Sequence, residues 1–164
     1  MTLAADRRRE MPPQQPSSDP ENPVEFWSTS AIRSALQRGD IATWQRIVVA
    51  IKRDPYGRTA RQVEEVLHGT PSFGISKALA EVLTRARTHL EANERAEVAR
   101  HMRVLIKRSG LNQHEFASRV GIPADTLGEY LSGTVSPPAS LMVRMRRLSD
   151  RFVKLHNRGI ADGL

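Results

Sequence analysis

The stretch Ser109–Leu148, SGLNQHEFASRVGIPADTLGEYLSGTVSPPASLMVRMRRL, decides how this chain folds. Gly110 closes an apolar-periodic segment. Beyond it Leu111, Phe116, Ala117 and Val120 recur at helical spacing, which predicts a helix over Asn112–Val120 with Gly121 as its stop. Ile122, Leu127 and either Tyr130 or Leu131 form the buried side of a second short helix, ended by Gly133. A third, longer helix starts near Pro137 or Pro138, since proline suits a first helical turn. Two short helices joined by a tight Gly-containing turn allow the second to present its polar face to a groove.

These residues resemble the phage-repressor-like (Xre) helix-turn-helix family. The resemblance is carried by Gly110-Leu111-Asn112-Gln113, Glu115-Phe116-Ala117, Val120-Gly121-Ile122, Leu127, Gly133 and the helix from Pro137 to Leu148, and it spans about the last 70 residues. It implies that the second helix of the pair lies in the major groove. The residues matching its base-reading face are Ala124, Asp125, Thr126, Gly128 and Glu129. Thr126 suits a base edge or a thymine methyl, and Asp125 and Glu129 suit a cytosine amino group. Asp125 also sits in a first helical turn, where an acid is favoured by the helix dipole whatever lies outside. Gln113 matches the position that grips a phosphate, and Asn112, Arg119, Ser132 and Thr134 are further phosphate candidates, although Asn112 is equally a helix cap. Two departures weaken the match: Pro123 stands where a capping Ser or Thr is common, and Thr134 where Lys or Arg commonly follows the glycine.

Charge points the same way. The 164 residues carry a formal net charge of +7, which favours a polyanionic partner such as double-stranded DNA. The excess is uneven, with 13 Lys/Arg against 11 Asp/Glu through Asn93 and 12 against 7 from Glu94 onward. In the last helix Arg144, Arg146, Arg147, Arg151, Lys154 and Arg158 face only Asp150, so phosphate contact is set against an ordinary solvated face. The absence of cysteine excludes disulfides and thiolate-bound zinc and fits a cytoplasmic protein. No apolar run reaches the ~18 residues a membrane span needs, and no apolar stretch follows Arg7-Arg8-Arg9, so neither a membrane segment nor a secretory signal is expected.

Upstream, residues 1–25 are broken by Pro12, Pro13, Pro16, Pro20 and Pro23 and are expected to be a disordered tail, with Arg7–Arg9 either solvated or a DNA-touching arm. A helical N-terminal module is expected over 26–93. Ser28 or Thr29 caps a helix bearing Ile32, Ala35 and Leu36 that stops at Gly39. Asp40 caps a second, with Ile41, Trp44, Ile47, Val48 and Ile51 inward, ending at Asp54-Pro55. Thr59 caps a third, with Val63, Val66 and Leu67 inward, ending at Gly69 before a loop over Thr70–Gly74. Arg53–Thr59 resembles the extra module preceding the helix-turn-helix in some actinobacterial regulators. Thr59–Gly69 and Gly74–Ala86 also admit a second DNA-contacting pair through Arg58, Arg61, Lys77, Arg85 and Arg87, but packing or dimerisation is the stronger expectation.

Ile75–Ser109 contains neither Gly nor Pro and bears two apolar stripes interrupted at Glu94. Two helices with a junction capped by Asn93 are expected in preference to one long helix. The helix-turn-helix domain then occupies 94–158 and a tail 159–164, with Gly159 as the helix stop. Leu141, Met145, Leu148, Phe152 and Leu155 form a seam that serves either packing against the N-terminal half or a homodimer.

His68, His89, His101, His114 and His156 show no zinc-ligand spacing, and no phosphate-cradling loop follows a strand, so catalysis, cofactors and metals are not expected. The expectation is an all-α, sequence-specific DNA-binding transcriptional regulator. The alternatives are an antitoxin or adaptor with a protein partner on the N-terminal module, or a nonspecific nucleoid-associated protein.

Overall fold

A computed structural model of the chain describes residues 22–69 and 74–161. The proline-rich tail falls outside them through residue 21, as do residues 70–73 of the expected loop and 162–164 of the expected C-terminal tail. The fold is all-α: among the described residues there are helices and no strand. The order is a 3-10 turn at Val24–Phe26, then α1 (Thr29–Arg38), α2 (Ile41–Arg53), α3 (Arg58–His68), α4 (Ile75–Ser109), α5 (Gln113–Val120), α6 (Ala124–Ser132) and α7 (Ala139–Ala161). The chain divides into two compact units, Met1–Arg87 and Thr88–Leu164, and α4 contributes to both.

In the first unit the helix ends follow from local chemistry. The Ser28 hydroxyl accepts from the Ala31 amide at 3.1 Å and so begins α1. Gly39 ends it at φ +70°, a left-handed conformation that costs glycine little. The Asp40 carboxylate accepts from the Thr43 amide at 3.1 Å and from the Thr43 hydroxyl at 2.6 Å. These bonds favour the charged form and hold Asp40 below the usual carboxylate range, the hydroxyl contributing most. Two expectations fail here. Ile41, the first residue of α2, is 71% exposed instead of turned inward, whereas Ile47 and Ile51 are fully buried. Thr59 does not cap α3: Gly57 is the cap residue, with no side-chain bond, and Thr59 is buried inside the helix. The cause lies in the preceding turn, where the Gly57 amide bonds the Asp54 carbonyl at 3.2 Å. The Asp54 carboxylate occupies the space a Cβ on Gly57 would take, 2.0 Å away.

The core of this unit joins Val24, Trp27, Ile32, Ile47, Ile51, Val63, Val66 and Leu79, so among the described residues it already includes Val24, ahead of Phe26. Trp27 Nε1 donates to the Asn22 carbonyl at 3.1 Å, and Gln62 Nε2 donates to the Trp27 carbonyl at 3.1 Å.

The junction expected at Asn93 is absent, because α4 is continuous over 35 residues. Asn93 Nδ2 lies 3.1 Å from His89 Nε2, one turn back on the same helix, and caps nothing. A helix this long is sustained at both ends: Leu79 and Leu83 are buried in the first unit's core, Met102 and Leu105 in the second's.

The second unit's core is built from Met102, Leu105, Phe116, Ala117, Val120, Leu127, Leu131, Leu141, Met145 and Leu148. The α7 seam is thereby corrected. Leu141, Met145 and Leu148 pack in the core of their own unit, Phe152 is half-buried, and Leu155 is 53% exposed. Gly159 does not stop α7, which continues through Ala161.

Candidate nucleic-acid interface

The site is a pair of short helices, α5 and α6, joined by Gly121-Ile122-Pro123. At the entry of α5, Asn112 Oδ1 accepts from the Glu115 amide at 2.8 Å, so this side chain serves as a cap. At its exit Gly121, at φ +82°, donates to the Ala117 carbonyl at 3.0 Å, and the Ile122 amide bonds the same oxygen at 3.1 Å. This left-handed closure turns the chain sharply into α6. Arg144 of α7 secures the corner, Nη1 donating to the Val120 carbonyl at 3.1 Å. Pro123 provides no side-chain cap for α6, although its carbonyl accepts from the Leu127 amide at 3.1 Å.

Leu127 and Leu131 bury the back of α6. Positions three and four apart share a helix face, so Asp125, Gly128, Glu129 and Ser132 form the opposite side. Asp125, Glu129 and Ser132 are exposed and Gly128 is half-buried. The structure thus brings Asp125 and Glu129 together in solvent, flanked by half-buried Thr126 and Gly128. Ala124 instead packs against the core. The outward face holds two carboxylates and no cation.

The phosphate candidates divide similarly. Gln113 is exposed at the start of α5. Arg119 is engaged: Nε and Nη2 donate to Glu115 Oε1 at 3.0 and 2.8 Å, and its guanidinium lies 5.0 Å from the centroid of the Phe152 ring. The Ser132 hydroxyl donates to the Glu129 carbonyl at 2.8 Å and lies 2.7 Å from the Thr134 hydroxyl, so these two side chains partner each other beyond the end of α6.

Two residues that sequence reasoning passed over fix that end of α6. Arg95 Nε donates to the Gly133 carbonyl at 3.1 Å, and Arg103 Nη2 donates to the Leu131 carbonyl. Both extend from α4 and satisfy carbonyls a helix end leaves open, where positive charge is also favoured by the dipole. Gly133 takes φ +76°, where a side chain would be strained, and the α4 backbone at Ala96 lies at ordinary contact distance, 3.8 Å, from where its Cβ would stand.

The second candidate pair, in the first unit, is less open. Arg87 is held by both Glu64 carboxylate oxygens at 3.0 Å and by the Pro55 carbonyl at 3.1 Å, and Arg85 pairs with Glu81. The Arg87 guanidinium is the main reason the Glu64 carboxyl titrates below the usual glutamate range. Arg58, Arg61 and Lys77 remain exposed. Among the described residues no three His, Asp or Glu side chains cluster as metal ligands, and no helix is long and apolar enough to cross a membrane.

No protein-family model, curated protein or solved structure matches the chain significantly.

Proposed function

We propose that the chain is a sequence-specific DNA-binding transcriptional regulator of the phage-repressor-like helix-turn-helix kind, reading the major groove with α6. The observation that carries the proposal is the orientation of that helix: Leu127 and Leu131 are buried, while Asp125 and Glu129 stand in solvent. A helix fixed by its apolar back, by Arg144 at its entry and by Arg95 and Arg103 at its exit is pre-organised to offer its front to a duplex. Asp125 and Glu129 then accept from cytosine amino groups, and Gln113 grips a phosphate beside them. Two copies on half-sites ~34 Å apart supply the specificity one short helix lacks. Sedimentation on and off DNA tests that assembly; monomer under both conditions rejects it.

Selection from a random duplex library, followed by a genome-wide binding map with footprinting, tests the function. A specific regulator prefers its selected site by ~10³-fold or more over random sequence at physiological salt. Glu129→Ala changes the preference at one base pair, whereas Gln113→Ala weakens all sites alike. Equal binding of selected and random duplexes defeats the proposal.

A second reading is favoured by the absence of any cation on the front of α6: an antitoxin or adaptor whose principal partner is a protein. Stoichiometric co-purification of that partner, lost on removing the first unit, distinguishes it.

A further inference from the structure

The front of α6 is acidic, so the field that holds a polyanion must come from another element. We propose that Arg147, Arg151, Lys154 and Arg158 on α7 form a phosphate-tracking rail for the backbone of double-stranded DNA. This rests on the DNA-binding reading of the same unit and assigns its affinity to an element that the α5–α6 pair does not contain.

Helical geometry sorts the six cations of α7. At 100° per residue Arg147, Arg151, Lys154 and Arg158 fall in one narrow stripe, continued toward the helix start by Arg144. All four are exposed, and among the described residues no carboxylate pairs with any of them. Arg146 lies on a different flank with Asp150, 4.0 Å away, and Asp150 also accepts from Arg108 at 3.0 Å. The one acid of the helix borders the stripe, one turn before Lys154, but its carboxylate is engaged by Arg146 and Arg108. From Arg144 to Arg158 the stripe rises about 21 Å.

The helix α7 itself lies along α5. Arg144 reaches the carbonyl of Val120 at the end of α5, and the His156 ring lies 3.3 Å from where a Cβ on Gly110 would stand, just before the start of α5. Hence α7 runs antiparallel to α5; His156 falls about 180° from Arg147 around the helix, so the stripe itself looks away from that contact and towards solvent.

The test uses the full chain with Arg147, Arg151, Lys154 and Arg158 all changed to Gln, and a second variant carrying R147K, R151K and R158K. Binding to a random-sequence duplex about two turns long is followed by fluorescence anisotropy against salt. Losing four phosphate contacts makes the slope of log K against log salt shallower by about 3.6. Between about 50 and about 200 mM salt the parent then loses on the order of 100-fold more affinity than the Gln variant. The Lys variant keeps the parental slope, and far-UV circular dichroism shows all three folded alike. An unchanged slope in the Gln variant overturns the rail. Stronger binding of the parent to vesicles of equimolar phosphatidylcholine and phosphatidylglycerol than to duplex, abolished in the Gln variant, also overturns it in favour of a lipid surface. A slope that falls as expected while the parent shows no sequence preference upholds the rail and removes the regulator.

Discussion

Replacing Arg95 and Arg103 together by Ala tests whether α6 is held from behind. Each guanidinium donates to a carbonyl at the end of α6, Gly133 for Arg95 and Leu131 for Arg103. Hydrogen bonds from a charged donor contribute ~1.5–3 kcal/mol when sheltered, but Arg95 is only half-buried and Arg103 exposed, so about 1 kcal/mol each is appropriate. A combined loss of about 2 kcal/mol lowers the melting temperature of a small domain by roughly 10 °C. It also raises the opening equilibrium of the helix end about 30-fold. The amides that report this are Gly133, bonded to the Tyr130 carbonyl at 3.1 Å, and Thr134, bonded to the Glu129 carbonyl at 3.3 Å. Hydrogen exchange at these two amides is expected to accelerate by that factor in the double variant. Arg100→Ala, an exposed change on the same helix, is the control and is expected to shift stability by less than ~0.5 kcal/mol. Unchanged exchange at Gly133 and Thr134 in the double variant refutes the bracing.

Phe116 is fully buried, so Phe116→Ala is expected to cost ~3–5 kcal/mol in urea unfolding of the second unit; a cost below ~1 kcal/mol contradicts the packing. Asn112→Ala removes the α5 cap and is expected to cost ~1 kcal/mol, largely restored by Asn112→Asp, as read from thermal melts. The Glu64–Arg87 pair is partly exposed, with side-chain exposures of 40% and 23%, so Glu64→Gln is expected to cost only about 1 kcal/mol at neutral pH. Because the folded-state pKa of Glu64 is lowered, the unfolded chain binds more protons as the solution acidifies. The contribution is therefore complete above the unfolded value of ~4.3 and is lost as pH falls through the folded one. The parent–variant difference narrows in acid; an equal difference at neutral pH and near pH 3 rejects the assignment.

What was legible in the sequence was local. Ser28, Asp40 and Asn112 begin helices, and Gly39, Gly121 and Gly133 end them, because a cap bond or a left-handed residue needs only neighbours a few positions away. Most of the exposed front of α6 was legible for the same reason: periodicity placed Leu127 at the back with either Tyr130 or Leu131, of which Leu131 is the buried one, although Ala124 packs against the core. Thr59 was a local error: the Asp54–Gly57 turn starts α3 just ahead of it. The other failures came where distant chain intervened. Asn93 has the chemistry of a cap, but a helix buried in a core at either end passes through it. The α7 seam has the same spacing whichever surface receives it. Arg95 and Arg103 were invisible as braces because their carbonyl partners lie 38 and 28 residues away, and a lone arginine on a helix ordinarily faces water.

Both tryptophans belong to the first unit: Trp27 is enclosed in its core, and Trp44 packs half-buried against it, its indole nitrogen without a partner among the described residues. The chain therefore carries a built-in optical label on one half and none on the other. Emission spectra follow melting of the N-terminal module selectively, while Tyr130 provides a weaker signal from the half that holds α6. A candidate protein ligand that shifts the indole spectrum points to the N-terminal module, and an oligonucleotide that binds without shifting it points elsewhere, before any residue is changed.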